Sequence, residues 1–433
     1  MSRAHRRPRC DAGLSPRAVR EFVEVIDIRE LRKDPGAYLT KLSRKDAHGL
    51  VQELLEVDAA WRAATTVAEG LRSRLKASGK PTPDQLQELQ RAKEEFQETE
   101  SRLAELDRRR KELLDRVPNP PADDVPSGGE DDFEVLREVG TKPSFGFAAR
   151  DHLDLAQAHG WIDAPRGTKV SGSRFVYRIG DLALLELALY RYALARVAEK
   201  GHIPLLPPVL VREEAMYGTG FFPTEAVNIY GVERDALYLV GTSEVPVAAF
   251  HAQEILEELP RRYVAYSTCF RREAGAAGKD TRGMFRVHQF DKVEMFVYCV
   301  PETSADEHER LLAIEEGLVK ELGLPYRVIN VAAGDLGAPA VKKYDIEAWF
   351  PGQGRYREIT STSNTTDFQS RRLAIRFRRA GRAEPVHTLN GTAITARAMI
   401  AILENFQEAD GSIAVPSVLW EFGAPRKMGS KPG

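Results

Sequence analysis

The densest group of side chains that could do chemistry lies between Tyr266 and Glu294. This stretch is predicted to form two extended segments joined by a glycine-rich, charged loop. In the second segment, strand alternation places Arg286, His288, Phe290 and Glu294 on one face. Guanidinium groups can bind phosphate oxygens, an aromatic ring can stack on a base and a carboxylate can pair with an amine. The pattern fits a nucleotide site, but its charges alone fit a solvated, salt-bridged hairpin equally well.

Taken as one string, FRREAGAAGKDTRGMFRVHQFDKVE is far more specific than its separate charges. It closely resembles motif 2 of the class II aminoacyl-tRNA synthetases, in the form used by seryl-tRNA synthetases. The resemblance implies that Arg271 is catalytic, that Phe290 stacks on the adenine of ATP and that Glu294 pairs with the ammonium group of serine. The other ATP contacts implied in this stretch are Arg272, Glu273, Arg286 and Val287.

A second candidate stretch, Leu237 to Glu244, is predicted to be a strand that runs into Thr242-Ser243-Glu244. By itself this tripeptide fits the cap of a following helix. The serine pocket of seryl-tRNA synthetases carries a similar Thr-x-Glu. The resemblance therefore implies that Thr242, Ser243 and Glu244 bind the serine substrate.

A third stretch, Tyr344 to Arg372, is predicted to form a strand, a turn and a second strand. Without further information it fits a surface hairpin with an incidental Glu/Ser pair. The family resemblance implies instead that Glu358 and Ser361 hold a catalytic Mg²⁺, and oxygen ligands together with ATP phosphates suit this ion. It also places Arg357 near the terminal phosphate of ATP. The full set of ATP contacts implied here is Arg357, Glu358, Ile359, Thr360 and Ser361.

The stretch from Asn390 to Gln407 is predicted to be a turn feeding an apolar helix, and it is similar to motif 3 of the same enzymes. The resemblance implies that Arg397 is catalytic and faces the ATP phosphates, and that Thr392 contacts the serine hydroxyl. Two features depart from the family pattern. Threonine replaces the more common serine at 392, and the spacing from Asn390 to Arg397 is one residue shorter than usual. A hydroxyl is kept, so we expect serine recognition to survive, while the fine geometry of this loop stays open.

One further stretch is predicted to be an apolar helix followed by a strand. Leu182 to Glu199 has a hydrophobic face too wide for a solvent-exposed helix, and a proline-rich strand follows at 202–208. Such a face is usually core. The similarity of this helix and strand to motif 1 implies a homodimer interface instead.

Two heptad repeats precede the motifs, beginning near Leu50 and Leu89 and separated by a Gly/Pro turn at 78–83. They predict an antiparallel coiled-coil hairpin of about 45 Å. Periodicity alone fits a scaffold or dimerisation arm, and basic residues near the tip fit a phosphate backbone. The resemblance implies an arm that holds tRNA(Ser). The predicted domains are a disordered extension at 1–24, an N-terminal tRNA-binding domain at 25–117, a linker at 118–132, a class II catalytic domain at 133–425 and a tail at 426–433.

Composition restricts the remaining choices. A chain of 433 residues can form more than one domain, and a net charge of −2 excludes a generally basic nucleic-acid coat. Three cysteines form no CxxC pair, which predicts a reducing compartment and no zinc cage. No apolar run approaches the length of a membrane span. We therefore expect a cytoplasmic protein that does not contact a membrane.

These observations predict an α+β protein in which an antiparallel class II sheet is flanked by helices and preceded by a coiled-coil arm. The predicted function is ATP- and Mg²⁺-dependent activation of L-serine and its transfer to tRNA(Ser), with tRNA(Sec) as a further candidate acceptor. Two alternatives stay open. A paralogue could activate serine for a biosynthetic pathway, and a catalytically silent relative could only bind tRNA. The silent alternative is disfavoured because the whole set of implied site residues is present, namely Glu244, Arg271, Glu273, Glu294, Glu358 and Arg397.

Overall fold

The computed structural model describes residue 26 and residues 28–76, 82–274 and 283–429. The predicted disordered extension at 1–24 lies outside the described residues. So do residues 275–282 of the long loop in motif 2 and the last residues of the predicted tail.

The N-terminal domain is helical. Its helices are α1 (Ile28–Lys33), α2 (Pro35–Ser43), α3 (His48–Leu75) and α4 (Pro83–Arg116). The long pair, α3 and α4, forms the predicted coiled-coil hairpin, and the heptad positions of α4 are the less exposed ones along its length. A capping box starts α4: the backbone N–H of Gln85 donates to Thr82 Oγ1 at 3.4 Å, and that of Thr82 donates to Gln85 Oε1 at 2.8 Å.

An ion cluster fixes the base of this hairpin. Asp58 on α3 is 1% exposed and accepts hydrogen bonds from Arg32 Nε at 2.8 Å, Arg62 Nε at 3.1 Å and Arg110 Nε at 2.8 Å. The guanidinium group of Arg110 also lies 4.9 Å from the centre of the Trp61 ring. A buried carboxylate needs such partners, and here they join α1, α3 and α4.

The second domain is built on one large sheet. Its helices are α5 (His152–Ala158), α6 (Ala164–Ser171), α7 (Asp181–Glu199), α8 (Glu213–Thr219), α9 (Glu244–Ala248), α10 (Ser304–Glu321), α11 (Phe368–Leu373) and α12 (Ala396–Asn405). Short 3₁₀ turns occur at Ala226–Asn228, Glu233–Asp235, Pro301–Thr303, Ala333–Asp335 and Ser417–Phe422. The strands are β1 (Glu134–Val139), β2 (Ile162–Asp163), β3 (Tyr177–Arg178), β4 (Ile203–Leu205), β5 (Leu210–Val211), β6 (Tyr230–Val232), β7 (Leu237–Leu239), β8 (Ile255–Leu256), β9 (Arg261–Phe270), β10 (Gln289–Cys299), β11 (Tyr326–Asn330), β12 (Lys342–Phe350), β13 (Arg355–Thr366), β14 (Arg376–Arg379), β15 (Arg382–Pro385), β16 (His387–Thr395), β17 (Ile413–Ala414) and β18 (Lys427–Met428).

Within the described residues, the large sheet has eight strands in the order β1-β11-β12-β13-β16-β10-β9-β4. Its neighbours run antiparallel except for the parallel pair β4–β9. Helices α7, α10 and α12 pack against this sheet. Their inward-facing residues, including Leu189, Leu311 and Met399, are fully buried in the main core. The predicted fold class is confirmed: an antiparallel-rich sheet flanked by helices, with a helical hairpin before it.

Two predicted connecting segments are packed against the catalytic domain. In the predicted linker, Val125 is buried with Ile329 and Val331 beside the sheet. In the predicted tail, β18 pairs with β17 and Met428 is fully buried, so the name "tail" is wrong for residues 427–428. In both segments a polar composition hides the few apolar side chains that pack against the domain. The predicted domain boundaries themselves stay a prediction.

Candidate active site

Two adjoining cavities open on one face of the large sheet. The larger has a volume of about 620 Å³ and the smaller about 300 Å³. Side chains from the motif 2 and motif 3 strands line both of them, among them Arg271, Glu273, Lys292 and Thr392. The larger cavity also contains Thr242 and Glu244, and the smaller contains Glu358 and Arg397.

Strand β10 supplies the floor between the two cavities. Phe290, Lys292 and Glu294 alternate along it and face the cavities, as the period of two requires. His288 does not join them, because the strand starts only at Gln289. The ring of His288 packs against Phe175, and its Nδ1 lies 2.9 Å from the carbonyl oxygen of Arg271. The prediction that His288 shares the functional face is therefore wrong.

A β-bulge brings Glu358 and Ser361 together. Residues three apart on a regular strand lie on opposite faces. In the β12–β13 ladder, however, Ile346 pairs with Thr360 and Glu347 pairs with Glu358, so one extra residue of β13 is inserted. Both Glu358 and Ser361 consequently line the smaller cavity.

The same device shapes the motif 3 strand. In the β10–β16 ladder, Val293 pairs with Ile394 and Glu294 with Thr392, which inserts an extra residue into β16. Thr392 and Thr395, three residues apart, therefore both line the smaller cavity. The hydroxyl of Thr392 also donates to Glu294 Oε2 at 3.4 Å.

The closed end of the larger cavity is rich in acids. Glu294 is 2% exposed, forms an ion pair with Lys292 and lies near Glu244. Burial raises the pKa of Glu244 to about 7, and the negative charge of Glu294 adds to the rise. Gln369 Nε2 donates to Glu244 Oε1 at 2.7 Å. Two acids, Glu244 and Glu294, face a single lysine, Lys292, so this part of the cavity favours a ligand that brings a positive charge. The Thr392 hydroxyl beside them can also bond a ligand hydroxyl.

The smaller cavity is cationic and aromatic. Arg271 Nε donates to the carbonyl oxygen of Gly241 at 3.1 Å, and its guanidinium group lies 5.2 Å from the centre of the Phe290 ring. Arg397 Nη1 lies 3.2 Å from Glu358 Oε2. Burial would raise the pKa of Glu358, but the charges of Arg397, Lys343 and Arg271 lower it to about 2. An ionised carboxylate among arginines beside an aromatic ring fits a nucleoside triphosphate and its counter-ion.

Comparison with known proteins agrees with this geometry. Residues 25–121 match the family described as "Seryl-tRNA synthetase N-terminal domain", and residues 230–406 match "tRNA synthetase class II core domain (G, H, P, S and T)". The chain is 50% identical over 410 residues to the serine–tRNA ligase of Thermobifida fusca, covering 92% of this chain and 97% of that protein. The chain belongs to the seryl-tRNA synthetase family.

Two solved structures of this family have the same architecture. The seryl-tRNA synthetase of Pyrococcus horikoshii, complexed with ATP, is 40% identical with a TM-score of 0.86, covering 93% of this chain and 99% of that one. The cytoplasmic serine–tRNA ligase of Naegleria fowleri, in complex with AMP, is 32% identical with a TM-score of 0.83, covering 94% and 97%. The predictions of family, fold and aminoacyl-tRNA ligase class are confirmed.

Most of the side chains predicted for the seryl-tRNA synthetase site line the two cavities. The members that do so are Thr242, Glu244, Arg271, Glu273, Arg286, Val287, Phe290, Glu294, Glu358, Ile359, Ser361, Thr392 and Arg397. Their individual roles stay predictions, since proximity alone does not assign a ligand atom to each.

Four predicted contact residues lie elsewhere. Arg272 Nε donates to the carbonyl oxygen of Ile229 at 3.0 Å, outside both cavities. Ser243 is fully buried behind the pocket, and Thr360 points to the far side of the sheet. The guanidinium group of Arg357 lies 3.7 Å from the centre of the Phe285 ring, and Arg357 itself lines neither cavity. Each is next in sequence to a lining residue, and strand or turn alternation directs it away.

Sequence reasoning missed several lining residues. Lys292 and Lys343 contact both cavities, and Asn390 lines the larger one. Lys292 could have been found, because it lies between Phe290 and Glu294 in the alternation of β10. Lys343 had no such pattern: only the pairing of β12 with β13 brings it beside Glu358.

The donor set fits the predicted Mg²⁺. The low pKa of Glu358 keeps its carboxylate ionised, and the Ser361 hydroxyl lines the same cavity, so two oxygen donors face one space. Arg397 forms an ion pair with Glu358 on the same side of this cavity. Among the described residues, no cluster of three or more His, Cys, Asp or Glu side chains could hold a metal ion by itself.

Proposed function

We propose that this chain activates L-serine with ATP to give seryl-adenylate and transfers the seryl group to tRNA(Ser). One observation supports this proposal most strongly: an acidic, hydroxyl-lined cavity adjoins a cationic, aromatic one, and Arg271 lines both of them. The ATP and AMP complexes of the Pyrococcus and Naegleria relatives support the choice of nucleotide.

In this proposal the serine ammonium pairs with Glu294, and the serine hydroxyl meets Thr392 and Glu244. Adenine stacks on Phe290. A carboxylate oxygen of serine attacks the α-phosphorus of ATP, and the bond to the pyrophosphate oxygen breaks. Arg271 stabilises the charge that develops between the two substrates, so catalysis rests on positioning and electrostatics without a protein nucleophile.

Arg397 and Glu358 act at the leaving group. Arg397 provides a charge for the phosphates, while Glu358 and Ser361 would hold Mg²⁺, which supplies further charge neutralisation when bound. Replacing Glu358 by Gln removes a carboxylate ligand while keeping the shape. Its activity should fall and should demand more Mg²⁺, whereas a Thr360→Ser variant on the far side of the sheet should behave like the wild type.

In the second step a hydroxyl of the terminal tRNA adenosine attacks the seryl carbonyl and AMP leaves. The arm formed by α3 and α4 provides the tRNA contact in this proposal. It is supported by the basic side chains Arg72, Arg74 and Lys76 near the end of α3.

The enzyme acts as a homodimer in this proposal. Helix α7 buries one face in the core but leaves Leu184 and Leu187 about half exposed, at 50% and 55%. The following segment exposes Leu206 at 81%. Contiguous exposed apolar side chains of this kind indicate a protein interface. Sedimentation equilibrium of the wild type and of a Leu184→Asp, Leu187→Asp variant tests this assignment.

A cytoplasmic location also remains part of the proposal. The thiols of Cys269 and Cys299 are both buried and free, as suits a reducing compartment. In the part of the chain that the structure describes, no helix has the length and apolar character to span a bilayer.

Pyrophosphate exchange across amino acids tests the activation step. Serine should support exchange, and alanine should do so much more weakly because Thr392 and Glu244 would be left unpaired. Comparable exchange with serine and alanine would refute the pocket assignment. Serine exchange without transfer to any tRNA would instead support a paralogue that activates serine for biosynthesis.

Shortening the arm tests the transfer step. The deletion should preserve Asp58 and Arg110, which hold the arm base, so residues 65–103 are replaced by a short Gly/Ser turn. Serine-dependent exchange should stay near the wild-type rate while aminoacylation collapses. Full aminoacylation at low tRNA concentration would remove the arm from the proposed mechanism.

A further inference from the structure

One wall of the larger cavity has no regular structure of its own. Residues 336–340 line this cavity and connect the 3₁₀ turn at Ala333–Asp335 to β12. They do not line the smaller cavity. On the cavity side the wall approaches α8 closely: a Cβ atom at Gly220 would lie 2.8 Å from Pro339 Cγ. A small displacement of this segment would therefore change the shape of the larger cavity, in which the proposed function places serine.

Side chains outside the catalytic domain hold this wall from behind. Lys45, just after α2, donates from Nζ to the carbonyl oxygens of Gly337 at 3.1 Å and Ala340 at 2.7 Å. The backbone N–H of Asn119 donates to Ala338 O at 2.8 Å, and its side-chain Nδ2 donates to Pro339 O at 2.9 Å.

The next carbonyl is held in the same way, by the backbone N–H of Ala122 bonding to Val341 O at 2.9 Å. Five consecutive carbonyl groups, 337–341, thus accept hydrogen bonds from the N-terminal domain and the segment that follows it. Asn119 Nδ2 also contacts Thr365 O at 2.8 Å, and Thr365 is another lining residue of the larger cavity. A segment without a sheet ladder needs its carbonyls satisfied elsewhere, and these donors satisfy them.

We propose that Lys45 and Asn119 are positioning residues of the amino-acid pocket, which makes the N-terminal domain part of the activation machinery as well as a tRNA arm. The inference rests on the proposed serine activation. Lys45 is well placed for this role because its Nζ donates to two carbonyl oxygens of the wall, one at each end of residues 337–340. Neither residue touches the cavity, so both act through the 336–341 wall.

The two anchors can be removed with little change of shape. Lys45→Met keeps the side-chain length but loses both donors. Asn119→Asp is isosteric but replaces the donor amide by a carboxylate oxygen, which then faces the three atoms that accept from Asn119, namely Pro339 O, Thr365 O and Thr366 Oγ1. Lys41→Met is the matched control. Lys41 lies on α2 and pairs with Asp123 of the linker at 2.8 Å, but it makes no hydrogen bond to residues 336–341.

Serine-dependent pyrophosphate exchange is measured on the full-length chain with serine and ATP varied separately. We expect Lys45→Met and Asn119→Asp to raise the serine KM about 10-fold or more, since each loses charge-assisted or multiple hydrogen bonds. The ATP KM should stay within about twofold, because the wall borders only the larger cavity. Lys41→Met should match the wild type in both constants. Circular dichroism and gel filtration establish that each variant is folded.

Three results would overturn the inference. The first is a serine KM within twofold of the wild type in folded Lys45→Met and Asn119→Asp variants. The second is a parallel rise of the serine and ATP constants, or an equal rise in Lys41→Met, because either would indicate general loosening. The third is failure of both variants to fold, since a purely structural role would then suffice. A wild-type chain without serine-dependent exchange would instead refute the proposed function itself.

Discussion

Replacing Glu244 by Gln should make the substrate-free protein more stable at alkaline pH. Burial, with the added charge of Glu294, raises the pKa of Glu244 from 4.5 to about 7. A carboxyl group with this difference holds its proton about 3 kcal/mol more tightly in the folded chain than in the unfolded one. The stabilisation is fully present below pH 4.5 and is lost as the pH rises to about 7 and beyond.

The magnitude follows from linkage. Between pH 5 and pH 8, ionisation of Glu244 should remove about 2 to 3 kcal/mol of stability. Glutamine cannot ionise and can still accept the hydrogen bond from Gln369. The wild type should therefore lose more thermal stability than Glu244→Gln over this pH range. For a domain of this size the difference amounts to a few degrees in melting temperature.

Scanning calorimetry at pH 5, 6.5 and 8 gives the slope of melting temperature against pH for each protein, and the effect is the difference between the slopes of the wild type and Glu244→Gln. Other buried acids with raised pKa values, such as Glu315 and Asp345, titrate in both proteins and cancel in that difference. The exposed Glu257→Gln variant is the control and should keep the wild-type slope. Identical slopes for Glu244→Gln and the wild type would refute the reasoning, as would destabilisation of Glu244→Gln that grows with pH.

Three further predictions concern single side chains. Thr392→Val should lose about 1–3 kcal/mol of serine-over-alanine discrimination because the pocket hydroxyl is gone. This is roughly 5- to 150-fold in the ratio of kcat/KM values from pyrophosphate exchange, and an unchanged ratio would contradict the role of Thr392. Asp58→Asn should lower the stability of the N-terminal helices by about 3 kcal/mol, since the arginines around it lose their buried counter-charge. Circular dichroism at 222 nm should then show a first melting step at a lower temperature than in the wild type. Identical melting curves of the two proteins at pH 7 would contradict this prediction. Burial raises the pKa of Glu315 far above its usual range, and its Oε2 accepts from Thr360 at 3.0 Å. Glu315→Gln should therefore unfold within about 1 kcal/mol of the wild type at pH 7, whereas Glu315→Ala should lose about 2–3 kcal/mol through a cavity and an unpaired hydroxyl; equal denaturation midpoints for the two variants would be the contrary result.

Local sequence determined a large part of this protein. The heptad repeats of α3 and α4 were enough to predict the helical hairpin, because the contacts of a coiled coil repeat regularly along its length. Strand alternation placed Phe290 and Glu294 on one face of β10, and the motif strings gave the family. These features rest on contacts between residues close in the chain, so the pattern itself carries them.

Tertiary structure alone decided the rest. No glycine or turn residue marks the bulge that brings Glu358 beside Ser361, because a bulge is set by the register between two strands. Polar composition predicts a linker at 118–132. In the structure, however, Asn119 donates a hydrogen bond to Pro339, more than 200 residues away in the wall of the larger cavity. The pKa of Glu244 likewise depends on Glu294, which only folding brings near. Burial, strand register and long-range hydrogen bonds arise only once distant segments meet, so no local pattern in the chain reports them.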